Sequence, residues 1–142
     1  MTFKSTKERK RLFRFAAVGI SGTIVDFSIS NLLINLFFLN SLTASAISFS
    51  IAVLNHFVWN RIWTYPESIK SPFGVQFFQF GIISLIGLAI RIPIIALIEK
   101  PFTSLAKLLI PDNFIFYPKV IGYNLTLATA IIVVLFWNFY AN

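Results

Sequence analysis

Cysteine is absent from the 142 residues, and histidine occurs once, as His56. The first absence removes disulfides, thiolate metal sites and cysteine nucleophiles together. The second leaves little material for imidazole-based metal binding or acid–base chemistry. Acidic residues are equally scarce: Glu8, Asp26, Glu67, Glu99 and Asp112 are the full set, scattered along the chain with no two placed to act as a catalytic pair. No glycine-rich phosphate loop, nucleophile elbow or metal-ligand cluster is present, so the chain is not expected to be an enzyme or to carry a cofactor or metal. Charge of either sign makes up only 12% of the residues, against roughly a quarter in soluble domains. That is too little to cover a water-facing surface, and lipid must solvate much of the chain.

What is present fits that conclusion. Hydrophobic residues make up 57% of the chain and aromatics 17%, with a mean hydropathy of +0.80. Four apolar runs, at about 14–37, 43–60, 76–98 and 117–140, each approach the ~20 residues that cross a bilayer as a helix. Backbone groups in lipid must be satisfied within the segment, so these runs predict helices. The expected fold class is an all-α integral membrane protein of four transmembrane helices, arranged as two helical hairpins. Residues 1–13 form a basic arm and 14–142 the membrane domain. The first run is too long for a secretory signal, whose apolar region spans roughly 7–15 residues, although Ala44-Ser45-Ala46 resembles a cleavage site.

The connections differ in character. Leu39–Leu42 reads as a tight hairpin, Arg61–Gly74 as an exposed loop with Pro66 and Pro72. Between Glu99 and Tyr117, Phe102, Leu105, Leu108 and Leu109 recur at helical spacing, which predicts a short separate helix along the membrane surface. Net charge is +7, and six of the twelve basic residues (Lys4, Lys7, Arg9, Lys10, Arg11 and Arg14) precede the first run. An arm facing anionic lipid headgroups explains this better than nucleic acid does. Counting Arg61 and Lys70, that side carries eight basic residues, against Lys100, Lys107 and Lys119 on the other. The bias predicts a cytoplasmic N-terminus, and an even helix number a cytoplasmic C-terminus.

The halves resemble each other. Gly19-x-x-Gly22-x-x-x-Asp26 in the first helix is matched by Ser84-x-x-Gly87-x-x-x-Arg91 in the third. Each set lies on one helical face, where small residues let helices approach. Asp26 and Arg91 fall at mid-membrane, where a charge costs about 2.5–3.5 kcal/mol on insertion scales, so both must face the bundle interior or water. Two readings stand: a structural ion pair, or an Arg91 that offers its planar donors to an anion while Asp26 holds it or accepts hydroxyls. Lys119 either snorkels to the interface or meets a phosphate in the outer leaflet. Asn124, Ala128, Leu135, Asn138 and Asn142 fall near one face of the fourth helix, and Asn55 and Asn60 end the second; each asparagine either bonds a neighbouring helix or lines a polar route. Trp59, Trp63 and Trp137 read as interface anchors and His56 as structural.

Arg14-Phe15-Ala16-Ala17-Val18-Gly19, Val25-Asp26-Phe27, Asn55 and above all Asn60-Arg61-Ile62-Trp63-Thr64-Tyr65 resemble the GtrA-like family. Gln79-Phe80, Gly87-Leu88-Ala89-Ile90-Arg91 and Trp137-Asn138-Phe139 continue the resemblance. It implies a small protein of the cytoplasmic membrane that translocates a polyprenyl-phosphate-linked sugar for cell-envelope polysaccharides, or that assists a membrane glycosyltransferase. The family's second hairpin usually carries a basic-aromatic tail, whereas this sequence stops at Asn142. On this reading Asp26, Asn55, Asn60, Arg61, Arg91, Lys119, Asn124 and Asn138 are the candidate substrate-binding residues. Four helices are few to enclose a sugar, so a homo-oligomer is expected. A small multidrug-type exporter is the competing transporter class, disfavoured because Arg91 would repel a cationic cargo.

Overall fold

A computed structural model describes the backbone of residues 5–141 and side chains through Trp137. All regular structure among the described residues is helical: α1 spans Thr6–Asn35, α2 Ser41–Trp59, α3 Phe73–Leu109 and α4 Pro118–Ala141. A π-helical turn, Asn60–Thr64, and a 3₁₀ turn, Pro66–Lys70, join α2 to α3. Each long helix carries a stretch apolar enough to cross a membrane.

The boundaries follow local chemistry. Residues 6–13 of the basic arm are continuous with the first span: α1 begins at Thr6 because Ser5 accepts the Glu8 N–H at 3.2 Å, the Ser-x-x-Glu arrangement that starts helices. In the hairpin turn Phe38 takes φ 54°, a left-handed conformation uncommon outside glycine. Asn40 then caps α2 through Thr43 N–H at 2.8 Å. The separate surface helix expected near 102–109 does not exist. α3 runs unbroken through Pro93 and Pro101, 37 residues in all. Each proline removes a single backbone donor, and in a membrane protein neighbouring groups absorb that loss, so a proline need not end the span.

The helices pack in a ring, α1 on α2, α2 on α3, α3 on α4 and α4 on α1, which leaves α1 and α3 on a diagonal. The closest packing lies within each hairpin. A Cβ placed on Gly22 of α1 would fall 1.7 Å from the His56 ring of α2, and one on Gly122 of α4 would fall 2.6 Å from the Thr103 backbone of α3. Outside, large apolar side chains such as Ile20, Ile24, Leu85, Leu97 and Phe136 are exposed. Inside, Asp26, Ser30, Ser45, Ser48, Arg91 and Thr126 are buried. Polar groups at the axis and apolar groups outside are the arrangement lipid demands.

The two hairpins therefore depend on glycine contacts of unequal tolerance. Gly122→Ala drives a methyl group into helix backbone and is expected to destabilise by about 1–3 kcal/mol, the range for overpacking. Gly19→Ala, whose Cβ meets nothing within 4 Å, is expected to be neutral. Thermal unfolding in detergent checks both; equal melting temperatures for the two variants would refute this account.

Candidate functional site: a buried ion pair between two hairpins

Arg91 is the middle residue of α3, 1% exposed, and its guanidinium grips Asp26 of α1, 4% exposed, with both forks. Nη1 donates to Asp26 Oδ2 at 2.5 Å and Nη2 to Asp26 Oδ1 at 2.7 Å. The third donor, Nε, reaches Ser45 Oγ of α2 at 2.7 Å. Ser48 of α2 donates to Asp26 Oδ1 at 2.7 Å, and the guanidinium lies 5.1 Å from the Phe49 ring centroid. Planar, delocalised charge suits this double role of fork and stacking partner; a lysine could lie over the ring but could not form the two-pronged contact.

Further polar contacts line the same axis. Ser30 of α1 bonds the Tyr123 hydroxyl of α4. Asn31 and Asn124 exchange amide hydrogen bonds at 2.8 and 2.9 Å, and each also donates to its own helix, to Phe27 and Val120 carbonyls at 2.8 Å. Ser41 donates to Glu99 Oε1 at 2.6 Å. The bonds from Arg91 to Asp26 and Ser45, Ser30 to Tyr123, Asn31 to Asn124 and Ser41 to Glu99 all run from the α1–α2 hairpin to the α3–α4 hairpin. Close glycine contacts lie within both hairpins, while ions, hydroxyls and amides join one hairpin to the other, beside an aromatic contact of Phe57 in α2 with Phe73, Phe77 and Phe80 in α3.

The remaining candidates fall into place around this axis. Asn55 donates to Ser21 Oγ of α1 at 3.1 Å. Arg61 turns away from the axis to clamp the loop, bonding Gln76 and the Ile69 and Ser71 carbonyls at 3.4 and 3.2 Å and lying over Phe73. The expected exposed loop is thus tied to its own first residue. Lys119 is exposed on the first turn of α4. The Asn138 side chain lies outside the described residues. Asn60 is half-buried, and its Oδ1, like His56 Nε2 and Thr64 Oγ1, is buried without a hydrogen-bond partner among the described residues. Each such group costs about 1–3 kcal/mol, so three in neighbouring turns call for a reason.

Ser45, Ser48, Ser30 and Asn31 also line this candidate site, although the sequence alone did not single them out for it. Their signal was present: Ser41, Ser45 and Ser48 repeat at helical spacing, as do Gly22, Asp26 and Ser30. Among the described residues no group of three or more potential metal ligands gathers.

The GtrA/DPMS transmembrane-domain family matches residues 14–142. A protein of Bacillus subtilis (strain 168), described as the uncharacterized membrane protein YngA, is 30% identical over 99 residues, 69% of this chain and 66% of that protein. The dolichol-phosphate mannosyltransferase of Pyrococcus furiosus is 29% identical over 84 residues, 59% of this chain but only 24% of that enzyme. The chain therefore spans just under two thirds of one relative and about a quarter of the other. No solved structure matches.

A buried pair broken on one side leaves an uncompensated charge. Asp26→Leu or Arg91→Met alone is expected to cost about 3–5 kcal/mol, whereas the double variant replaces the pair by apolar groups of similar volume and recovers most of that loss. A double-mutant cycle on thermal unfolding in detergent measures the coupling, and additive single effects would show that the contact stabilises nothing.

Proposed function

The chain belongs to the GtrA/DPMS transmembrane-domain family, a multi-pass membrane family that handles polyprenyl-phosphate-linked sugars, and we propose that it moves such a lipid-linked monosaccharide between leaflets of the cell membrane. The observation that carries this reading is the polar seam between two glycine-packed hairpins, with Arg91 at its centre. A phosphodiester offers the same paired anionic oxygens as the Asp26 carboxylate and can take its place on the guanidinium fork. Ser45 and Ser48 then supply hydroxyls to the displaced carboxylate or to the phosphate. Parting the seam exposes the Asn31 and Asn124 amides and the Ser30 and Tyr123 hydroxyls to a sugar, while the polyprenyl tail stays in lipid.

The mechanics favour motion at this seam. Interhelical hydrogen bonds in membranes contribute only about 0.6–2 kcal/mol each, so a polar seam can open where tightly packed glycine contacts would not. Rocking of one hairpin against the other around a midplane site is the common scheme of small transporters. The basic arm sits on the cytoplasmic side, against anionic headgroups, and the sugar is destined for cell-envelope glycans. The chain carries no bond-making chemistry of its own, and a second copy completes the enclosure of the sugar.

One finding favours a second reading. The matched segment corresponds to part of a longer dolichol-phosphate mannosyltransferase, so a domain of this type also occurs joined to a transferase. On that reading the present chain anchors or activates a separate membrane glycosyltransferase.

Vesicles reconstituted with the purified protein and a polyprenyl-phosphate-linked sugar separate the two. Wild type is expected to deliver sugar to the far leaflet, and the Asp26→Leu/Arg91→Met double variant, which keeps its fold, to lose more than about tenfold in rate, as expected for loss of a charge-assisted ligand. Wild-type transport by that double variant would reduce the pair to a structural role and sink the proposal. A wild type that moves nothing, yet stimulates a co-reconstituted transferase, would establish the accessory reading.

A further inference from the structure

The three unpartnered groups are not scattered. Ser48, Ala52, His56, Asn60 and Thr64 follow one another at four-residue spacing along α2 and the π turn, on the face turned inward. At one end Ser48 bonds Asp26. At the other, Thr64 is fully buried and lines a cleft of about 200 Å³ together with Lys7, Lys10, Arg11, Arg14, Pro66 and Glu67. A second, open cleft of about 530 Å³ adjoins it, sharing Lys10 and Arg14 and adding Arg9, Phe13 and Trp63.

The π turn explains why Thr64 faces inward. Tyr65 N–H bonds the Asn60 carbonyl at 2.8 Å, five residues back, and the wider turn carries Thr64 into the interior while Arg61 leaves it for the loop. Charge is distributed unevenly around the mouth. Glu67, its one acidic member, is paired with Arg11. Arg14 bonds the Trp63 carbonyl at 3.0 Å and lies 5.7 Å from that ring centroid. Lys7, Arg9 and Lys10 are exposed and have no acidic partner among the described residues. The mouth is therefore basic, and Thr64, whose buried hydroxyl has no partner among the described residues, lies at its inner edge.

We propose that this basic cleft and the column beneath it, Thr64–Asn60–His56, form a hydrated vestibule that draws a phosphate-bearing anion toward the Asp26–Arg91 pair. Water entering this column would satisfy the three orphaned groups, which follow one another at four-residue spacing and are separated from the pair along α2 by the small Ala52. Cationic walls concentrate anions at the mouth. The anion is either a phosphate in solution or the headgroup of a lipid held against Phe13 and Trp63. The inference rests on the transport reading for its purpose, but its test does not depend on transport.

The cysteine-free sequence makes the test direct. Thr64→Cys, Asn60→Cys and, as lipid-facing controls, Leu54→Cys and Val58→Cys are reconstituted in neutral phosphatidylcholine vesicles. Each is treated with an anionic and a cationic methanethiosulfonate of similar size, every rate being normalised to that of a free thiol. Cysteines at 64 and 60 are expected to react at least about tenfold faster than the controls, and faster with the anionic reagent, a preference that added salt weakens and Arg9→Gln/Lys10→Gln abolishes. Inorganic phosphate at fixed ionic strength, or phosphatidylglycerol added to the bilayer, is then tried as a protectant. Protection by the first identifies a free anion and by the second a lipid headgroup. Reactivity at 64 and 60 no greater than in the controls overturns the vestibule. Reaction without anionic preference, or protection by neither compound, overturns its selectivity. If these positions react as expected while vesicles show no transport, the vestibule stands and the transport reading alone fails.

Discussion

Everything in this molecule is arranged around a charge that cannot be left alone. Arg91 sits at the midpoint of the longest helix, where water does not reach it, and a bare guanidinium there would be prohibitive. Asp26 neutralises it from the diagonal helix, so the ring of four helices must close far enough to bring α1 and α3 into contact at their centres. Ser45 and Ser48 occupy remaining polar valences of the pair, and Phe49 covers the guanidinium face. The close glycine contacts within the hairpins follow from the same need, because a ring held open by larger side chains could not bring α1 and α3 together.

The internal repeat is present in the geometry and broken at the site. Gly22 and Asp26 of α1 have counterparts in Gly87 and Arg91 of α3, each glycine facing the following helix of its hairpin. Asn55 reaches Ser21, which bonds the Val18 carbonyl; Trp137, at the corresponding place on α4, donates directly to the Ile83 carbonyl at 3.3 Å. Matching Asn55 with Trp137 sets Ser45 against Leu127 and Ser48 against Ala130, all four fully buried. One hairpin therefore presents hydroxyls to the pair, and its counterpart presents an apolar wall with Ile95 and Tyr123. A symmetric duplication would place like charges opposite each other. The departure from symmetry, acid in one half and base in the other, is what lets the two halves dock.

Helix number, the facing of Asp26 and Arg91 and the partnership between them were legible in the sequence, because hydropathy and the cost of intramembrane charge leave few alternatives. The extent of α1 and α3 was not. Proline and charge are boundary signals calibrated on water-soluble helices, and here Pro101 lies inside α3 and residues 6–13 of the basic arm inside α1. Arg61 could not be told from a ligand by composition alone, since its task, closing the Ile69–Ser71 loop, depends on a π turn that no spacing rule announces. The sequence places Asn124 with other polar residues near one face of α4, but not its partner Asn31, because a reciprocal amide pair requires the register between α1 and α4.

The division of labour among contacts bears on how such a small bundle can move. Gly22 against His56 and Gly122 against Thr103 leave no room for even a methyl group on either glycine, so the helices of each hairpin sit at close approach. At its axis the seam between hairpins is held by discrete bonds to oxygen and nitrogen, each of which has a natural substitute: a phosphodiester for a carboxylate, a sugar hydroxyl for a serine or tyrosine hydroxyl, water for an amide. Phe57 against Phe73, Phe77 and Phe80 adds apolar contact beside it. A contact that can be exchanged for ligand costs little to break in the ligand's presence, whereas a glycine contact has nothing to exchange with. On the proposed reading, the residues that close this structure are those an anionic glycolipid would compete for, and closure and recognition would then share one set of hydrogen bonds.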